Sequence, residues 1–417
     1  MGAFWVSIVD HDTGKTLELA LYKNTHNKTI VILSGYSIDD AVIQNRLSPI
    51  VQVGLERGYD FVILCVGAGS LSIESGRVKY VRVQHRIAKA SNLFIRAISE
   101  CILAIKLIRV SFRLEKAVTF ITIPSMFCLF LARRDASLMV LDIRDLTWDY
   151  LAGSKIKRIS RFLLGHAAQK KIRQFDLVTC TNMWEKRHLQ KNVDGICNKT
   201  LLLSNGISEE SFGRLSQIHL KNKSQRLKIL YVGNVGIAQN LAVLIDSAKS
   251  LGCMDFWVVG DGVQRQSLQD RVQSENIENV FFYGKRNSHD VTNFYKKCDI
   301  LYAQVSPNYH TAVPSKLYEY LVIGRPLIFG GSGAAKEFLN EFNCVTTIPP
   351  DDVRQLVLAL KSVGEEMVSA EDIELNRKKI REKFLRGRNA VRLYDELSKL
   401  CLASLLTMFL TVPMYSI

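Results

Sequence analysis

The sequence lacks the signatures of several protein classes. Its nine cysteines are scattered singly, with no Cys-x-x-Cys pair, so we expect the reduced thiols of a cytosolic protein and no disulfide framework. It contains no zinc-ligand spacing, no RNP-like aromatic strand and no leucine-zipper basic region, which excludes the common nucleic-acid modules. No basic flank followed by an apolar run opens the sequence, so a cleavable signal peptide is not expected.

Long apolar runs are also scarce. Residues 117–132 are too few to cross a bilayer and contain Pro124, so we expect them to be buried within the fold. Residues 400–417 are borderline in length, and burial and membrane contact remain equally open for them.

What the sequence has in excess is length and positive charge. A chain of 417 residues, 47% of them hydrophobic, exceeds what one core usually supports and predicts two domains. Lys and Arg outnumber Asp and Glu by 55 to 40, which gives a formal net charge of +15 and favours a polyanionic partner. Without a nucleic-acid module, the partners to expect are anionic lipid headgroups or phosphorylated small molecules.

The first half of the chain alternates strand and helix patterns. Residues 29–34 are an apolar, β-branched run typical of a parallel sheet, and residues 39–57 predict a helix. Residues 59–66 form the next strand of a βαβ unit, whose turns lie at strand C-termini, where open α/β sheets bind ligands. Further strands are predicted at 78–83, 118–123, 138–143, 176–179 and 200–203, whereas the strand-like segments 4–9 and 16–22 receive no place in the sheet.

Two predicted helices, at 92–114 and 155–175, carry basic residues among apolar ones. A basic amphipathic helix can lie on an anionic membrane with its apolar face in the headgroup zone. An ordinary solvated face above a core-facing stripe explains each helix equally well. Because the net charge is +15, we favour the membrane surface.

Charged residues stand directly after the strand at 138–143. Arg144 and Asp145 are therefore candidate cleft residues, although a structural ion pair between them explains the pattern as well. Farther along, the polar segment 208–226 is the predicted linker between two halves of the chain.

The second half repeats the alternation of strand, loop and helix. A buried strand at 227–232 leads into a loop with Gly233 and Gly236, an arrangement in which backbone N–H groups cradle phosphate. The glycine spacing is wrong for the dinucleotide fingerprint, and no Gly-Lys-Ser/Thr follows, which excludes a Walker loop. Further strands at 256–259, 280–283, 299–304 and 327–329 predict a second parallel α/β domain.

Residues 314–323 predict a short helix, with Pro314 at its first position. Ser315, Lys316 and Glu319 then lie at a helix N-terminus, which favours anions. Glu319 is either a carboxylate that accepts hydrogen bonds from sugar or ribose hydroxyls, or a solvated surface residue. This stretch alone leaves both readings open.

Taken together, these motifs resemble one family. The resemblance is carried by Tyr-Val-Gly-Asn-Val-Gly-Ile-Ala-Gln-Asn-Leu at 231–241, Val-Gly-Asp-Gly at 259–262, Phe-Tyr-Gly-Lys at 282–285 and Val-Pro-Ser-Lys-Leu-Tyr-Glu-Tyr at 313–320. These segments are similar to the donor domain of family-four-type glycosyltransferases, which have the GT-B fold, an α/β architecture of two Rossmann-like doubly wound domains facing across a cleft. The branch that they resemble builds bacterial O-antigen, capsule and exopolysaccharide. Three segments of the first half also resemble that branch: Asp-Ile-Arg-Asp-Leu at 142–146, Cys-Thr-Asn at 180–182 and Ser-Asn-Gly-Ile at 204–207.

The resemblance implies a division of the chain. Residues 1–207 would form the acceptor-side domain, and residues 208–385 the domain that binds the nucleotide-sugar donor. Residues 386–417 would form a helix and an apolar tail that return to the first domain or reach the membrane.

The resemblance also implies a chemistry. It is the retaining transfer of a sugar from a nucleotide-diphosphate sugar, with no bound metal and no other cofactor. Glu319 would hold the nucleotide ribose, while Lys316 and the helix N–H groups would stabilise the leaving diphosphate. The residues expected around the donor are Gly233, Asn234, Gly236, Gln239, Gly260, Asp261, Gly262, Arg286 and Ser315.

The sequence departs from the family pattern at two places. The first carboxylate of the family's Glu-x7-Glu pair would stand eight residues before Glu319, and that position is Thr311. The usual Arg and Lys around the glycine loop are replaced by Asn234 and Gln239. His310, beside Thr311, is either a sugar contact or a surface loop residue.

These departures keep two alternatives open. The chain could be a non-catalytic, nucleotide-sugar-binding GT-B scaffold, or an inverting transferase in which Asp145 acts as the base. The function that we expect is a cytoplasmic transferase at the inner face of the plasma membrane. It would extend a lipid-linked glycan acceptor in surface-polysaccharide synthesis, with peripheral contact to anionic lipid and no nucleic-acid partner.

Overall fold

Two parallel β-sheets organise the chain. The computed structural model describes residues 4–9, 16–21, 28–85, 93–123, 126–146, 155–218, 224–365 and 368–411. Within these ranges one sheet has seven strands, the other has six, and a separate pair of strands precedes them. That pair is β1 (Phe4–Val9) and β2 (Thr16–Leu21), which are antiparallel with Phe4 opposite Leu21. The two segments that had no place in the sequence-based scheme are thus strands outside both large sheets.

The first sheet is built from continuous apolar runs, as expected for parallel strands buried on both faces. Its order is β5-β4-β3-β6-β7-β8-β9, with all neighbouring strands parallel. The strands are β3 (Thr29–Ser37), β4 (Asp60–Val66), β5 (Val78–Arg82), β6 (Val118–Ile123), β7 (Leu138–Ile143), β8 (Leu177–Cys180) and β9 (Thr200–Leu202).

Helices cover both faces of this sheet. They are α1 (Ala41–Glu56), α2 (Leu93–Phe112), α3 (Met126–Leu131), α4 (Lys155–Ile172) and α5 (Met183–Asn192). Residues of α2 to α5 share one buried cluster with the sheet, and α1 lies on the opposite face. The two basic helices expected from the sequence are confirmed as α2 and α4, and the apolar segment 117–132 is confirmed as part of the fold, in β6 and α3.

The second sheet has the order β12-β11-β10-β13-β14-β15 and is also parallel throughout. Its strands are β10 (Lys228–Val232), β11 (Asp255–Val259), β12 (Val280–Gly284), β13 (Ile300–Gln304), β14 (Leu327–Gly330) and β15 (Val345–Ile348). Its helices are α6 (Glu209–Ser216), α7 (Ala242–Lys249), α8 (Arg265–Ser274), α9 (Ser288–Lys297), α10 (Lys316–Ile323), α11 (Ala334–Leu339), α12 (Val353–Glu365) and α13 (Ala370–Lys383). The expected second parallel α/β domain is therefore confirmed.

Two expectations about local structure were wrong. The segment 208–226, taken as a linker, contains α6, which is capped by Ser208 and buries Phe212 and Leu215. The helix expected from Pro314 begins at Lys316, because the chain enters it through a tighter turn in which Leu317 N–H donates to the Pro314 carbonyl at 3.1 Å. Ser315 stands at the N-cap without a side-chain capping bond.

The last described helix, α14 (Arg386–Thr411), returns to the first sheet. It packs against α1, where the Tyr394 hydroxyl donates to the Ile50 carbonyl at 2.8 Å. The chain crosses between the sheets beside this helix, and Ile207 N–H donates to the Phe384 carbonyl at 3.0 Å at the crossing. Residues 412–417 of the apolar tail lie outside the described residues, and no helix of the described ranges is long and apolar enough to cross a bilayer.

Candidate active site

Three loops meet at the carboxyl edge of the second sheet, after β10, β11 and β12. Gly233 N–H donates to the Val259 carbonyl and Gly260 N–H to the Gly284 carbonyl, both at 2.9 Å. Gly260 has φ of +149°, and a Cβ there would lie 1.8 Å from the Gly233 carbonyl oxygen. Only glycine fits this approach of one backbone to another. The contact explains why glycines recur after these strands.

Lys316, in the first turn of α10, contacts this cradle of loops. Its Nζ lies 3.8 Å from the centre of the Tyr231 ring, and a Cβ on Gly233 would stand only 2.6 Å from that nitrogen. Burial lowers the pKa of Lys316 to about 7, while the nearby Glu319 carboxylate acts in the opposite direction. A cation is thus held against a glycine loop whose backbone can approach a phosphate.

Glu319 lies in the same turn of α10 and is oriented by a hydrogen bond. The Tyr295 hydroxyl donates to Glu319 Oε2 at 3.1 Å. Burial raises the pKa of Glu319, and the Tyr295 hydrogen bond and the positive charge of Arg386 oppose that shift. A fixed, partly desolvated carboxylate of this kind accepts hydroxyl hydrogen bonds well.

The two domains enclose a cleft beside these groups. Its cavity, of about 440 Å³, is lined from the first domain by Asn45, Arg144 and Asp145 and from the second by Gln239 and Ser315. The strand ends of both sheets therefore face one space, where open α/β sheets bind ligands.

A buried ion pair supports the first-domain wall of the cleft. Arg46 on α1 binds both oxygens of Asp142, which also accept hydrogen bonds from the Thr122 and Thr179 hydroxyls at 2.9 and 2.6 Å. Burial opposes ionisation of Asp142, but the Arg46 guanidinium holds the pKa of that carboxyl below its usual value. The pair fixes the end of β7, from which Arg144 and Asp145 project.

Residues 214–380 match the family model described as Glycosyl transferases group 1. The matched residues lie within the second sheet and its helices. An uncharacterized glycosyltransferase of Methanocaldococcus jannaschii is 24% identical over 233 residues, which are 54% of this chain and 60% of that protein.

Solved structures confirm the GT-B fold. Sucrose-phosphate synthase from Thermosynechococcus elongatus aligns with a TM-score of 0.71 at 15% identity, covering 90% of this chain and 99% of that one. The HepE protein of Anabaena, solved in complex with UDP and glucose, aligns with a TM-score of 0.63 at 16% identity, covering 89% and 100%.

The structure brings most of the residues expected around the donor together. Asn234 Nδ2 donates to Gln239 Oε1 at 3.3 Å, so the two residues in the usual Arg and Lys positions bind each other across the glycine loop. Gly236 packs between them, since a Cβ there would lie 2.5 Å from Asn234 Nδ2. Gly262 N–H donates to Asp261 Oδ1 at 2.8 Å on the exposed rim of the same loops.

Two expected residues lie elsewhere. Thr311 is fully buried, and its carbonyl accepts a hydrogen bond of 2.9 Å from Asn182 Nδ2 of the first domain. It is the following residues, from Ala312 to Ser315, that line the cleft. Arg286 lines a different pocket beside Trp257, on the flank of the sheet covered by α9, because it stands beyond the edge strand β12.

His310 contacts the first domain rather than the cleft lining. Its ring meets the Trp184 ring edge-on at 5.4 Å between centres. Among the described residues, no group of three His, Cys, Asp or Glu side chains is arranged to hold a metal ion.

Three groups near the cleft were missed from the sequence: Tyr295, Arg46 and Arg386. Tyr295 orients Glu319 from a different helix, and Arg46 acts from a helix that shows only an amphipathic pattern. Arg386 lies at the crossing between the domains, where its Nε donates to the Asn205 carbonyl at 2.9 Å. No local motif marks any of the three, because each acts through a contact between distant segments.

Proposed function

We propose that this protein is a glycosyltransferase that moves a sugar from a nucleotide-diphosphate sugar to a glycan acceptor. The observation that carries the proposal is the position of the Lys316 ammonium against Gly233, with Glu319 in the same helical turn. This arrangement offers a cation and backbone donors to a diphosphate and a carboxylate to a ribose. The complex of the structurally similar HepE protein with UDP and glucose supports a donor of this class.

In the proposed reaction the bond between the anomeric carbon and the diphosphate oxygen breaks, and its electron pair stays on the diphosphate. Lys316 and the loop N–H groups stabilise the charge that develops there, and the buried setting strengthens their effect. An acceptor hydroxyl forms the new bond to the anomeric carbon, and its proton passes to an oxygen of the leaving diphosphate. Glu319 holds the ribose and so fixes the donor for this step.

Retention of the anomeric configuration, without a metal ion, is part of the proposal. Nuclear magnetic resonance of the product measures that configuration directly. An inverted product would instead assign Asp145, on the opposite wall of the cleft, as the base that takes the proton of the acceptor hydroxyl.

We further propose a lipid-linked acceptor in surface-polysaccharide synthesis and a site of action at the inner face of the plasma membrane. The supporting observation is the outer surface of α4, where Ile159, Phe162 and Leu163 are 61%, 73% and 61% exposed. Exposed Arg161 and Lys170 lie on the same helix. Apolar and basic groups together suit an anionic headgroup layer.

The central test uses radiolabelled nucleotide sugars with a membrane extract as the source of acceptor. We expect transfer by the wild-type protein and a loss of about tenfold to a hundredfold in kcat/KM for Glu319→Ala, since a charged hydrogen-bond acceptor is removed. Glu382→Ala, which removes an exposed carboxylate from α13, is the matched control and should leave the rate unchanged.

A folded Glu319→Ala protein that transfers sugar at the wild-type rate would contradict the proposal. Binding of nucleotide sugars with neither transfer nor slow hydrolysis would instead show a non-catalytic scaffold. Thermal-shift measurements with the same sugars separate lost binding from lost catalysis.

A further inference from the structure

Arg144 is a cleft cation whose guanidinium donates no hydrogen bond to any residue that the structure describes. It follows β7 directly, is partly buried, and lines the cavity between the domains. Among these described residues no carboxylate lies within ion-pair distance of it, although the charges of Asp142, Asp145 and Asp40 act on it. Of these, Asp142 already binds Arg46 and two threonine hydroxyls. A desolvated guanidinium in this state is costly unless a ligand compensates it.

Arg386 lines the same cavity from the crossing between the domains. Its Nε donates to the Asn205 carbonyl and its Nη1 to Asn45 Oδ1, both at 2.9 Å. Both acceptors are neutral, so these bonds orient the guanidinium without cancelling its charge. Among the described residues no carboxylate lies within ion-pair distance of it, although the charges of Glu319 and Glu209 act on it.

Counted over the residues that line the cavity, the charge balance is positive. Arg46 is neutralised by Asp142, whereas Arg144 and Arg386 face a single lining carboxylate, Asp145. A guanidinium presents its N–H groups as a planar fork that matches phosphate oxygens in pairs. The lining thus fits an anionic, phosphate-type group better than a neutral sugar.

Arg144 stands on the first-domain wall of a cavity that donor-side residues also line. Arg144 and Arg386 line it together with Asn45 and Asn205 of the first domain and with Gln239 and Ser315 of the second, whereas Lys316 and Gly233 do not belong to its lining. A nucleotide sugar held at Lys316 would meet Arg144 only across the cleft, whereas the charge of Arg386 also acts on Glu319. The geometry therefore points to a second anion site.

We propose that Arg144 and Arg386 bind a phosphate or diphosphate group of the acceptor, on the first-domain side of the cleft. This inference rests on the proposed transferase function only where it identifies the ligand as the acceptor. The acceptor would then be acidic and would carry its phosphate close to the hydroxyl that receives the sugar.

Calorimetric titration of the full-length protein with inorganic pyrophosphate tests the site, first alone and then with the protein saturated with UDP. We expect pyrophosphate to bind in both cases. Arg144→Gln should weaken pyrophosphate binding by about tenfold or more and change UDP binding by less than about twofold. Arg144→Lys keeps the charge but loses the planar fork of N–H donors. Its affinity for pyrophosphate should lie between those of the wild type and Arg144→Gln.

Arg133→Gln is the matched control, since Arg133 is an exposed arginine of the first domain away from the cavity lining. It should bind pyrophosphate as the wild type does. If Arg144→Gln fails to fold, as judged by its thermal midpoint, Arg144→Lys carries the test.

Three results would overturn the inference: no measurable pyrophosphate binding, complete displacement of pyrophosphate by UDP, or equal weakening of UDP and pyrophosphate by Arg144→Gln. The last two would assign the arginine to the donor diphosphate. Pyrophosphate binding through Arg144 in a protein that turns over no nucleotide sugar would contradict the transferase function and leave the anion site standing.

Discussion

Lys316 shows how position within the fold changes the chemistry of a side chain. An exposed lysine is a cation at any physiological pH, but burial beside Tyr231 lowers the pKa of Lys316 to about 7. The unliganded protein is then close to half-protonated at this residue near neutrality. A diphosphate bound beside it favours the ammonium, so ligand binding above pH 7 takes up a proton.

The pH dependence of donor binding follows from that pKa. Affinity for UDP should fall between pH 7 and pH 9, by up to about tenfold per pH unit, because the bound state needs a proton that the free state no longer carries. Calorimetry in buffers of different ionisation enthalpy measures both the affinity and the proton uptake. In Lys316→Gln the affinity for UDP should be weaker and independent of pH over this range. A wild-type affinity for UDP that does not change from pH 7 to pH 9 would contradict the assignment of Lys316 to the diphosphate.

At the scale of the residue, the sequence predicts what stands within one local motif. Glu319 and Lys316 were predicted together because three positions separate them on one helix. Tyr295 could not be assigned to Glu319, since it belongs to another helix and looks like an ordinary core residue. The burial of Thr311 was equally hidden, because it depends on Asn182 of the other domain.

At the scale of the element, the docking of α14 on α1 depends on a glycine within a helix. A Cβ at Gly54 would lie 2.2 Å from the Tyr394 hydroxyl oxygen and 2.4 Å from Phe61 Cζ. The Tyr394 ring thus occupies the space that a side chain at position 54 would fill. With any residue other than glycine at this position, α14 could not approach α1 so closely.

Alanine at this position should destabilise the protein, although alanine favours helices over glycine by about 1 kcal/mol. Overpacking in a filled core costs about 1–3 kcal/mol, so Gly54→Ala should lower the midpoint of the transition that unfolds the first domain in scanning calorimetry. Gly213→Ala in α6 is the matched control, because nothing lies within 4 Å of its Cβ position. That variant should be as stable as the wild type or slightly more so. A stabilised Gly54→Ala would show that α14 is not held there.

Elements were predictable where apolar residues run continuously or recur at a regular spacing. Strand β3 and helix α1 are examples, the latter with Asp40 accepting the capping hydrogen bond from Val42 N–H. Helix α6 was missed because it has eight residues and opens with Ser208 and two glutamates, which gave the segment a linker-like polarity. The spacing of Phe212 and Leu215 was the signal that could have identified it.

At the scale of the whole molecule, charge and apolar exposure coincide on one side of the first domain. Helices α2, α3 and α4 pack side by side on the same face of the sheet. Ile98 and Ile102 on α2 are about half exposed, and the basic residues Lys106 and Arg109 lie near them on that helix. The net charge of +15 adds a long-range attraction to any anionic surface.

Sedimentation with phosphatidylglycerol vesicles tests this surface. Wild-type protein should bind and should be released as salt rises, because screening weakens the contribution of the charges. Phe162→Ser combined with Leu163→Ser should weaken binding by about tenfold, since two exposed apolar side chains no longer enter the headgroup zone.

The matched control for the vesicle experiment combines Leu358→Ser with Leu375→Ser. These two leucines are also about half exposed, but they lie on α12 and α13 of the second domain. The control should sediment as the wild type does. If the wild-type protein stays in solution at low salt, the protein does not dock on membranes through α4.

The overall architecture was predictable because an alternation of strands and helices allows few parallel folds. The order of strands within each sheet was not predicted, and neither was the return of α14 to α1. Both depend on contacts between residues far apart in the chain, such as the hydrogen bond between Tyr394 and Ile50. The positive lining of the cleft was hidden for the same reason, since Arg144 and Arg386 belong to segments that meet only in the folded chain.

The return of α14 also sets an order for folding during synthesis. Ile43, Leu47 and Ile50 of α1 share a buried cluster with Leu393, Tyr394 and Leu397 of α14. Tyr394 leaves the ribosome 344 residues after Ile50, when the whole second domain has already emerged. Until then the first domain carries an uncovered apolar helix face, which makes it a ready substrate for chaperones that bind nascent chains.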